Sequence, residues 1–377
     1  MKNIKIIHCA DIHFDTPFKD VNEKQSKINK EELKEVFNSI IDLCKKKQVD
    51  VFLLAGDIFD NLTIDKETLR FLEKSFNNIR DTRVFISPGN HDPYMINSFY
   101  KLIKWPENVY IFSKELECVY IEELNLNIWG AAFNDRYVYE SMIKGCSHKS
   151  SGETNIMVIH GELNNGTGNE YNPITIEEIE KSGMDYVALG HRHNYSGIKR
   201  KGRTYYAYSG CPQGRGFDEM GEKGVIYAEI SSDFSDFEFI KTSKRQYKEV
   251  NIDVSDLETH QELITHIKDM IKKEDREKNF YKVILSGELS DEFSINEKVI
   301  EDYLQNDFYF IKVIDKTKVR INFEEIVKGH SVRGIFVKKL LAKLEMSGSQ
   351  EEREIIEQAL KIGLNALADG EVKLDDY

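Results

Sequence analysis

Five short groups of His, Asp and Asn punctuate the first half of the chain. They are Asp11-Ile12-His13, Gly56-Asp57-Ile58-Phe59-Asp60, Gly89-Asn90-His91-Asp92, His160-Gly161 and Gly190-His191-Arg192-His193. Carboxylate, imidazole and amide oxygen together suit borderline-hard divalent ions such as Mn²⁺, Fe²⁺ or Zn²⁺, whereas an all-oxygen set would point to Mg²⁺ or Ca²⁺. One carboxylate can bridge two ions roughly 3.5–4 Å apart, the spacing for in-line attack on phosphorus by a hydroxide held between them. Each group also has an ordinary reading. Asp-x-His at a strand end is usually a turn, Gly-Asp is often a tight turn, and Gly-Asn-His-Asp fits a turn with Asn in the left-handed region. His-x-His points more to metal, because residues two apart in an extended segment share a face. The metal reading rests on all five occurring together, in order and after strands.

The elements that must position these groups are visible as apolar runs. Residues 4–9, 49–55, 84–87, 156–159 and 186–189 each read as a strand that ends at or just before one of the groups. Between the first three, residues 29–47 and 65–79 carry apolar side chains at helical spacing. This β-α-β-α-β rhythm predicts a layered α/β domain. From residue 109 strands dominate: 109–112, 118–121 and 126–129 predict a second sheet, and 204–208 and 224–230 add further strands. Two sheets flanked by helices would end near residue 245. Residues 246–320 then show a βαβαβ order, with strands at 247–254, 280–286 and 308–315 and helices at 257–273 and 295–305. Two apolar stripes, Val332 to Leu344 and Ile355 to Leu367, make the last part helical, with a C-cap at Ala368-Asp369-Gly370.

Composition sets the class. The 377 residues allow two to three domains, and 40% hydrophobic residues is ordinary for a globular chain. No apolar run approaches the roughly 18 residues of a membrane span, so no membrane association is expected. The N-terminus reads as a strand and not as a signal peptide. Five scattered cysteines without a CxxC pair indicate neither a disulfide framework nor a thiolate zinc site. A cytoplasmic location follows as an expectation. The net charge of -13 opposes nucleic-acid binding over the whole surface. It leaves a nuclease open, because a metal-loaded carboxylate cluster attracts phosphate.

The five groups together resemble the full signature of the calcineurin-like metallophosphoesterases. The chain further resembles the SbcD branch, the DNA-repair exonucleases, and within it the YhaO-type members. That closer likeness is carried by Asp11-Ile12-His13-Phe14-Asp15-Thr16-Pro17-Phe18 and Gly210-Cys211-Pro212-Gln213-Gly214-Arg215-Gly216-Phe217. It is strong over about residues 1–230 and weaker beyond. Protein phosphatases share the skeleton but carry Arg-Gly where this chain has Asn61-Leu62.

The resemblance implies an α/β fold: a four-layer αββα sandwich with a small α/β capping domain and a helical C-terminal segment. The corresponding domains are 1–245 for the dinuclear centre, 246–322 for the cap and 323–377 for a helical region that docks a partner. It implies two divalent ions, Mn²⁺ foremost, with Mg²⁺, Fe²⁺ or Zn²⁺ as alternatives. Asp11, His13, Asp57 and His193 would hold the first ion; Asp57 would bridge to a second held by Asn90, His160 and His191. His91 would protonate the leaving oxygen, oriented by Asp60. Arg215, Lys199 and Arg200 are candidates for substrate phosphate, each weighed against a turn or hairpin residue paired with acids or water. The implied function is DNA phosphodiester hydrolysis in double-strand-break repair, with DNA and an SMC-like, SbcC-type ATPase as partners and a homodimer left open. The alternatives are a nucleotide or small-ester phosphodiesterase and a non-catalytic scaffold.

Overall fold

A computed structural model of the chain describes residues 3–18, 20–60, 64–149, 152–164, 170–232, 234–255, 257–290, 293–319, 331–350 and parts of 352–363. The expected C-cap at 368–370, Leu367 and the middle of the loop after His160 lie outside the described residues.

The first sheet contains β1 (Ile4–Cys9), β2 (Val51–Leu54), β3 (Arg83–Ile86) and β4 (Val109–Ile111) as parallel neighbours. The second contains β5 (Glu117–Ile121), β6 (Leu126–Gly130), β7 (Thr154–His160), β10 (Tyr186–Gly190), β11 (Lys199–Lys201) and β12 (Thr204–Tyr208). Between β7 and β10 lie the short parallel pair β8 (Glu162–Leu163) and β9 (Pro173–Ile174). The first sheet is completed by β13 (Gly224–Ile230) and β14 (Ser235–Lys241), in the order β14-β13-β1-β2-β3-β4. The second has the order β11-β12-β10-β7-β6-β5.

Three helices cover these sheets: α1 (Glu23–Lys47), α2 (Lys66–Asn77) and α3 (Ile176–Ser182). Helix α1 starts six residues before its apolar periodicity does, because the Asn22 side chain accepts the Gln25 N–H at 2.9 Å. It ends with Gln48 in the left-handed region and Lys45, Lys46 and Lys47 on the negative end of the helix dipole. Alternation along the strands sorts side chains into layers. Ile7, Cys9, Phe52, Leu54, Val84 and Ile86 pack on Leu33, Phe37, Leu72 and Phe76 of α1 and α2. Ile4, Ile6, Val51 and Leu53 face Ile128, Ile156, Val158 and Ala188 of the second sheet. Met157, Ile159, Val187 and Leu189 close on Ile179 and Met184 at α3. Three apolar clusters thus separate four layers in the order helix, sheet, sheet, helix. Phe37 is fully buried among Phe14, Phe52, Phe71 and Phe76, and burial of such a ring stabilises by about 2–3 kcal/mol.

One strand sits elsewhere than its sequence suggested. Residues 109–111, expected in the second sheet, pair with β3 of the first. Asn108 causes this: its side chain donates to the carbonyls of Phe76, Ile79 and Thr82, and its carbonyl accepts from Val84. The strand is thereby tied to the end of α2. Residues 224–230, expected as a further strand, return antiparallel beside β1 with Ile4 opposite Ile230. Strand β14 beside it was not expected.

Beyond residue 245 come β15 (Tyr247–Asp253), α4 (His260–Met270), α5 (Lys273–Arg276), β16 (Phe280–Ser286), β17 (Glu288–Leu289), α6 (Glu297–Leu304), β18 (Phe310–Asp315), β19 (Lys318–Val319) and α7 (Val332–Met346). Strands β15, β16 and β18 form a three-stranded sheet in the order β15-β16-β18. Contacts divide the chain into two compact units. One is 1–250 with 271–282 and 305–312; the other is 251–270, 283–304 and 313–377. In the second unit, Ser331 caps α7, and Val337 packs with Ile356 and Leu360. No helix among the described residues is long and apolar enough to cross a membrane.

The two sheets of the first unit are pinned at the end where β1, β2, β7 and β10 all finish. Buried His8 contacts the Tyr186 hydroxyl at 2.8 Å and the Leu189 carbonyl at 3.1 Å. Burial pushes its imidazole down to about 3, so it stays neutral and one ring N–H donates to Leu189. Gly190 sets the approach: a Cβ there would lie 1.7 Å from the Ala55 carbonyl oxygen of the other sheet. Gly190→Ala should therefore destabilise the domain by about 3 kcal/mol or more, since backbone has to move. A denaturant midpoint within error of the wild type would contradict this approach of the sheets.

Candidate metal centre

The parallel strands deliver their following loops to one edge. Asp11 and His13 follow β1, Asp57 and Asp60 follow β2, and Asn90 and His91 follow β3. In the second sheet β7 ends on His160, and His191 and His193 follow β10. The loops after β1 and β2 run alongside each other: Asp11 N–H donates to Gly56, His13 N–H to Asp57 and Phe14 N–H to Ile58. This path places Asp11, His13 and Asp57 at positive φ, between 49° and 53°, and His191 after β10 is also at positive φ, 117°. For residues other than glycine such geometry costs roughly 1–3 kcal/mol each, and it clusters at functional sites.

The side chains then converge. Asp11, His13 and His193 each offer one ligand atom, all within 4.8 Å of one another, and Asp11, Asp57 and His160 do the same. Asp11 and Asp57 are buried carboxylates. The Asp57 Oδ2 atom lies 3.7 Å from His13 Nε2 and 3.3 Å from His160 Nε2, one imidazole of each set, while Asp11 belongs to both sets. Asp57 Oδ1 accepts the His91 N–H at 2.9 Å. His160 Nδ1 donates to the Ala55 carbonyl at 2.9 Å, which turns Nε2 toward Asp57 and Asn90, whose Oδ1 is 2.9 Å away. Of the seven expected ligands, six face this cluster. His191 stands apart: its ring Nε2 pairs with Glu162 at 3.2 Å, while its backbone N–H holds both oxygens of Asp11.

The expected catalytic pair is arranged differently from its sequence reading. The Asp60 carboxylate bonds His13 Nδ1 at 2.9 Å, whereas His91 Nδ1 is 3.0 Å from the Asp60 carbonyl and 3.8 Å from its carboxylate. His91 is the exposed imidazole of the group, at 44%. Arg215, weighed between a phosphate contact and a turn residue paired with an acid, is nearly buried against Glu219 and lies 3.5 Å from Asp60. Its charge is spent inside the protein, on acids that themselves hold His13 and His193. Lys199 and Arg200 are exposed on the edge strand β11, where Arg200 lies over the Tyr205 ring.

Three acids that support the centre escaped the sequence reading. Glu219 lies 2.7 Å from His193 Nδ1, which leaves the other ring nitrogen for a metal. Glu162 takes His191 and Arg192. Asp92 accepts from the backbone N–H groups of Gly89, Ile58 and Phe59 and from the Tyr100 hydroxyl, tying the loop after β3 to the loop after β2. Asp92 does stand in a motif; Glu162 and Glu219 had no spacing signal beyond lying near His160 and Arg215.

The residues fit a divalent pair. His13 Nε2 is buried with no hydrogen-bond partner among the described residues, and a bare polar atom of this kind costs about 1–3 kcal/mol unless something takes its lone pair. Burial, reinforced by Arg215, pushes His13 down to about 4, so its imidazole is neutral and ready to ligate. Burial works to raise Asp57, but His160 and His13 beside it hold it well below the usual carboxylate range. Burial works to lower His160; Asp57 and Asp11 more than offset that and raise it to about 9. Without an ion, His160 therefore keeps the proton that balances the carboxylates, and binding a cation must expel it. Mn²⁺ affinity should rise with pH between 6 and 8, by up to about tenfold per unit, with proton uptake by the buffer in calorimetry. A pH-independent affinity without proton release would contradict this exchange.

The geometry has counterparts among known proteins. The calcineurin-like phosphoesterase family model matches residues 4–195, just over half of the chain. The Bacillus subtilis "Uncharacterized metallophosphoesterase YhaO" is 29% identical over 283 residues, covering 72% of this chain and 69% of its own. A component of the nuclease SbcCD from Staphylococcus epidermidis is 26% identical over 250 residues, 57% of this chain and 65% of its own. "DNA double-strand break repair protein Mre11" of Methanocaldococcus jannaschii is 24% identical over 353 residues, 87% and 90%. A matched pattern that ends where β10 delivers its histidines, on two mixed sheets whose strand ends gather the ligands, makes this chain a member of the calcineurin-like phosphoesterase family.

Proposed function

We infer that the chain is a metal-dependent DNA phosphodiesterase acting in double-strand-break repair with an SMC-like, SbcC-type ATPase. The observation that carries this is the buried set Asp11, His13, Asp57, Asn90, His160 and His193 beside an exposed imidazole, His91. Two relatives, one named as part of a nuclease and one as a DNA break-repair protein, support the choice of substrate. Two divalent ions, Mn²⁺ foremost, supply Lewis acidity and an activated water when held by these residues. His191 would complete the second ion's ligands by leaving Glu162. The protein's own groups do the rest. His13 is oriented by Asp60 and His193 by Glu219, so both imidazoles are fixed before substrate arrives. His91 stands exposed at the mouth, its Nδ1 held by the Asp60 carbonyl, and its other nitrogen donates a proton to the leaving oxygen.

Residues 246–322 would cap the centre and 323–377 would dock the ATPase. Exposed Val332, Ile335 and Ile355 support such docking. A second reading, a nucleotide or small-ester phosphodiesterase, has its own support. A cavity of about 740 Å³ adjoins the centre, lined by Thr16, Pro17, Phe18, Asp60, Arg215 and Phe217 among others. That volume suits a small organic ligand.

Purified protein with Mn²⁺ separates the two. Degradation of linear or single-stranded DNA supports the nuclease; turnover of bis(p-nitrophenyl) phosphate with all DNA left intact supports the second reading. Within the first, His91→Ala should keep its bound Mn²⁺ and lose cleavage by roughly 10²–10⁴-fold. Loss of metal in this variant would place His91 among the ligands and contradict its role as the acid.

A further inference from the structure

A row of aromatic rings leads outward from the centre. Tyr171 lies on His191 with centroids 5.0 Å apart and planes 35° from parallel. Tyr137 lies 6.0 Å from Tyr171 at 39°, and Tyr139 lies 6.3 Å from Tyr137 at 29°. Exposure grows along the row, with Tyr137 at 46% and Tyr139 at 65% among the described residues. Single exposed tyrosines are ordinary. Three in succession, each tilted 29–39° from its neighbour and beginning on His191 beside the centre, are not explained by packing, since the outer two bury little. Their backbone is held: Val138 N–H donates to Glu170, Asn172 N–H donates to Val138, and buried Asn172 bonds the His160 carbonyl and the Met142 N–H. The row is therefore anchored to the strand end that carries His160.

We propose that Tyr137 and Tyr139 form a stacking platform for the unpaired bases of a nucleic-acid strand whose phosphate lies at the centre. This rests on the nuclease reading and specifies its substrate as single-stranded at the point of cleavage. The local charge favours stacking over phosphate contact. The chain carries a net charge of -13, and Arg136 on this loop follows Asp135 directly and precedes Glu140, which pairs with Lys144. A polyanion gains little from such a surface electrostatically. A base gains from a ring face whatever its sequence, and that gain is insensitive to phosphate neutralisation. The row also continues directly from His191, so a strand leaving the centre meets Tyr171 first and the exposed pair next.

The test compares three substrates under Mn²⁺: a labelled single-stranded oligonucleotide, an abasic oligomer of equal length, and bis(p-nitrophenyl) phosphate. The wild type should favour the oligonucleotide over the abasic oligomer by KM. Replacing both tyrosines (Tyr137→Leu with Tyr139→Leu) keeps the bulk and removes the ring faces. It should raise KM for the oligonucleotide by about tenfold or more and abolish the preference. Turnover of bis(p-nitrophenyl) phosphate and the thermal unfolding midpoint should stay within about twofold and a degree or two of wild type, as expected for exposed side chains. The aromatic pair Tyr137→Phe with Tyr139→Phe should behave as wild type. Unchanged KM and preference in the leucine variant would overturn the platform. A wild type that hydrolyses the small ester but neither oligomer would instead overturn the nuclease reading beneath it.

Discussion

Two carboxylates, Asp11 and Asp57, share a buried junction between two sheets, and most of the first unit's design answers to their charge. Taking carboxylates out of water is costly unless cations or hydrogen bonds replace the lost solvation. Backbone N–H groups supply part of that: His191 for Asp11 and His91 for Asp57. Imidazoles supply the next part, and His160 does so only by holding a proton at ordinary pH. What remains is a lone pair on His13 that no described residue satisfies. A divalent pair resolves all of these at once, which is why the charge cluster and the bare nitrogen are one observation.

The surroundings keep that cluster from relaxing. Left-handed backbone at Asp11, His13 and Asp57 holds the carboxylates toward each other, and paired loops after β1 and β2 keep it there. Asp92 draws the third loop onto the second through two backbone N–H groups, of Ile58 and Phe59. Glu219, Arg215 and Asp60 then connect His193 to His13 through buried charges, so neither ring can turn without disturbing the other. Rigidity of this kind is how a site keeps its ligands aimed before an ion arrives.

The gathering of these candidate ligands was legible in the sequence because parallel strands put one loop per strand at a common edge, and each motif sits just past an apolar run. The four-layer order was legible for the same reason, since the strands near the centre are apolar on both faces. Three things were not. The placement of 109–111 depends on Asn108 bonding three distant carbonyls, which no periodicity records. Arg215 could be read as a phosphate contact or as a turn residue paired with an acid, and nothing in the spacing named Glu219, four residues on, as that acid. His191 turns to Glu162, a partner that follows a different strand. Motif spacing reports which atoms gather; it is silent on which acids behind them take the second nitrogen.

The central claim is that Asp57 serves both ions. Metal content by mass spectrometry and calorimetry of wild type and Asp57→Ala tests it most directly, with folding checked by circular dichroism. Two Mn²⁺ per wild-type chain and none bound tightly to the folded variant is the expected result. A folded variant that retains one ion at wild-type affinity would show that the two sites do not share this carboxylate.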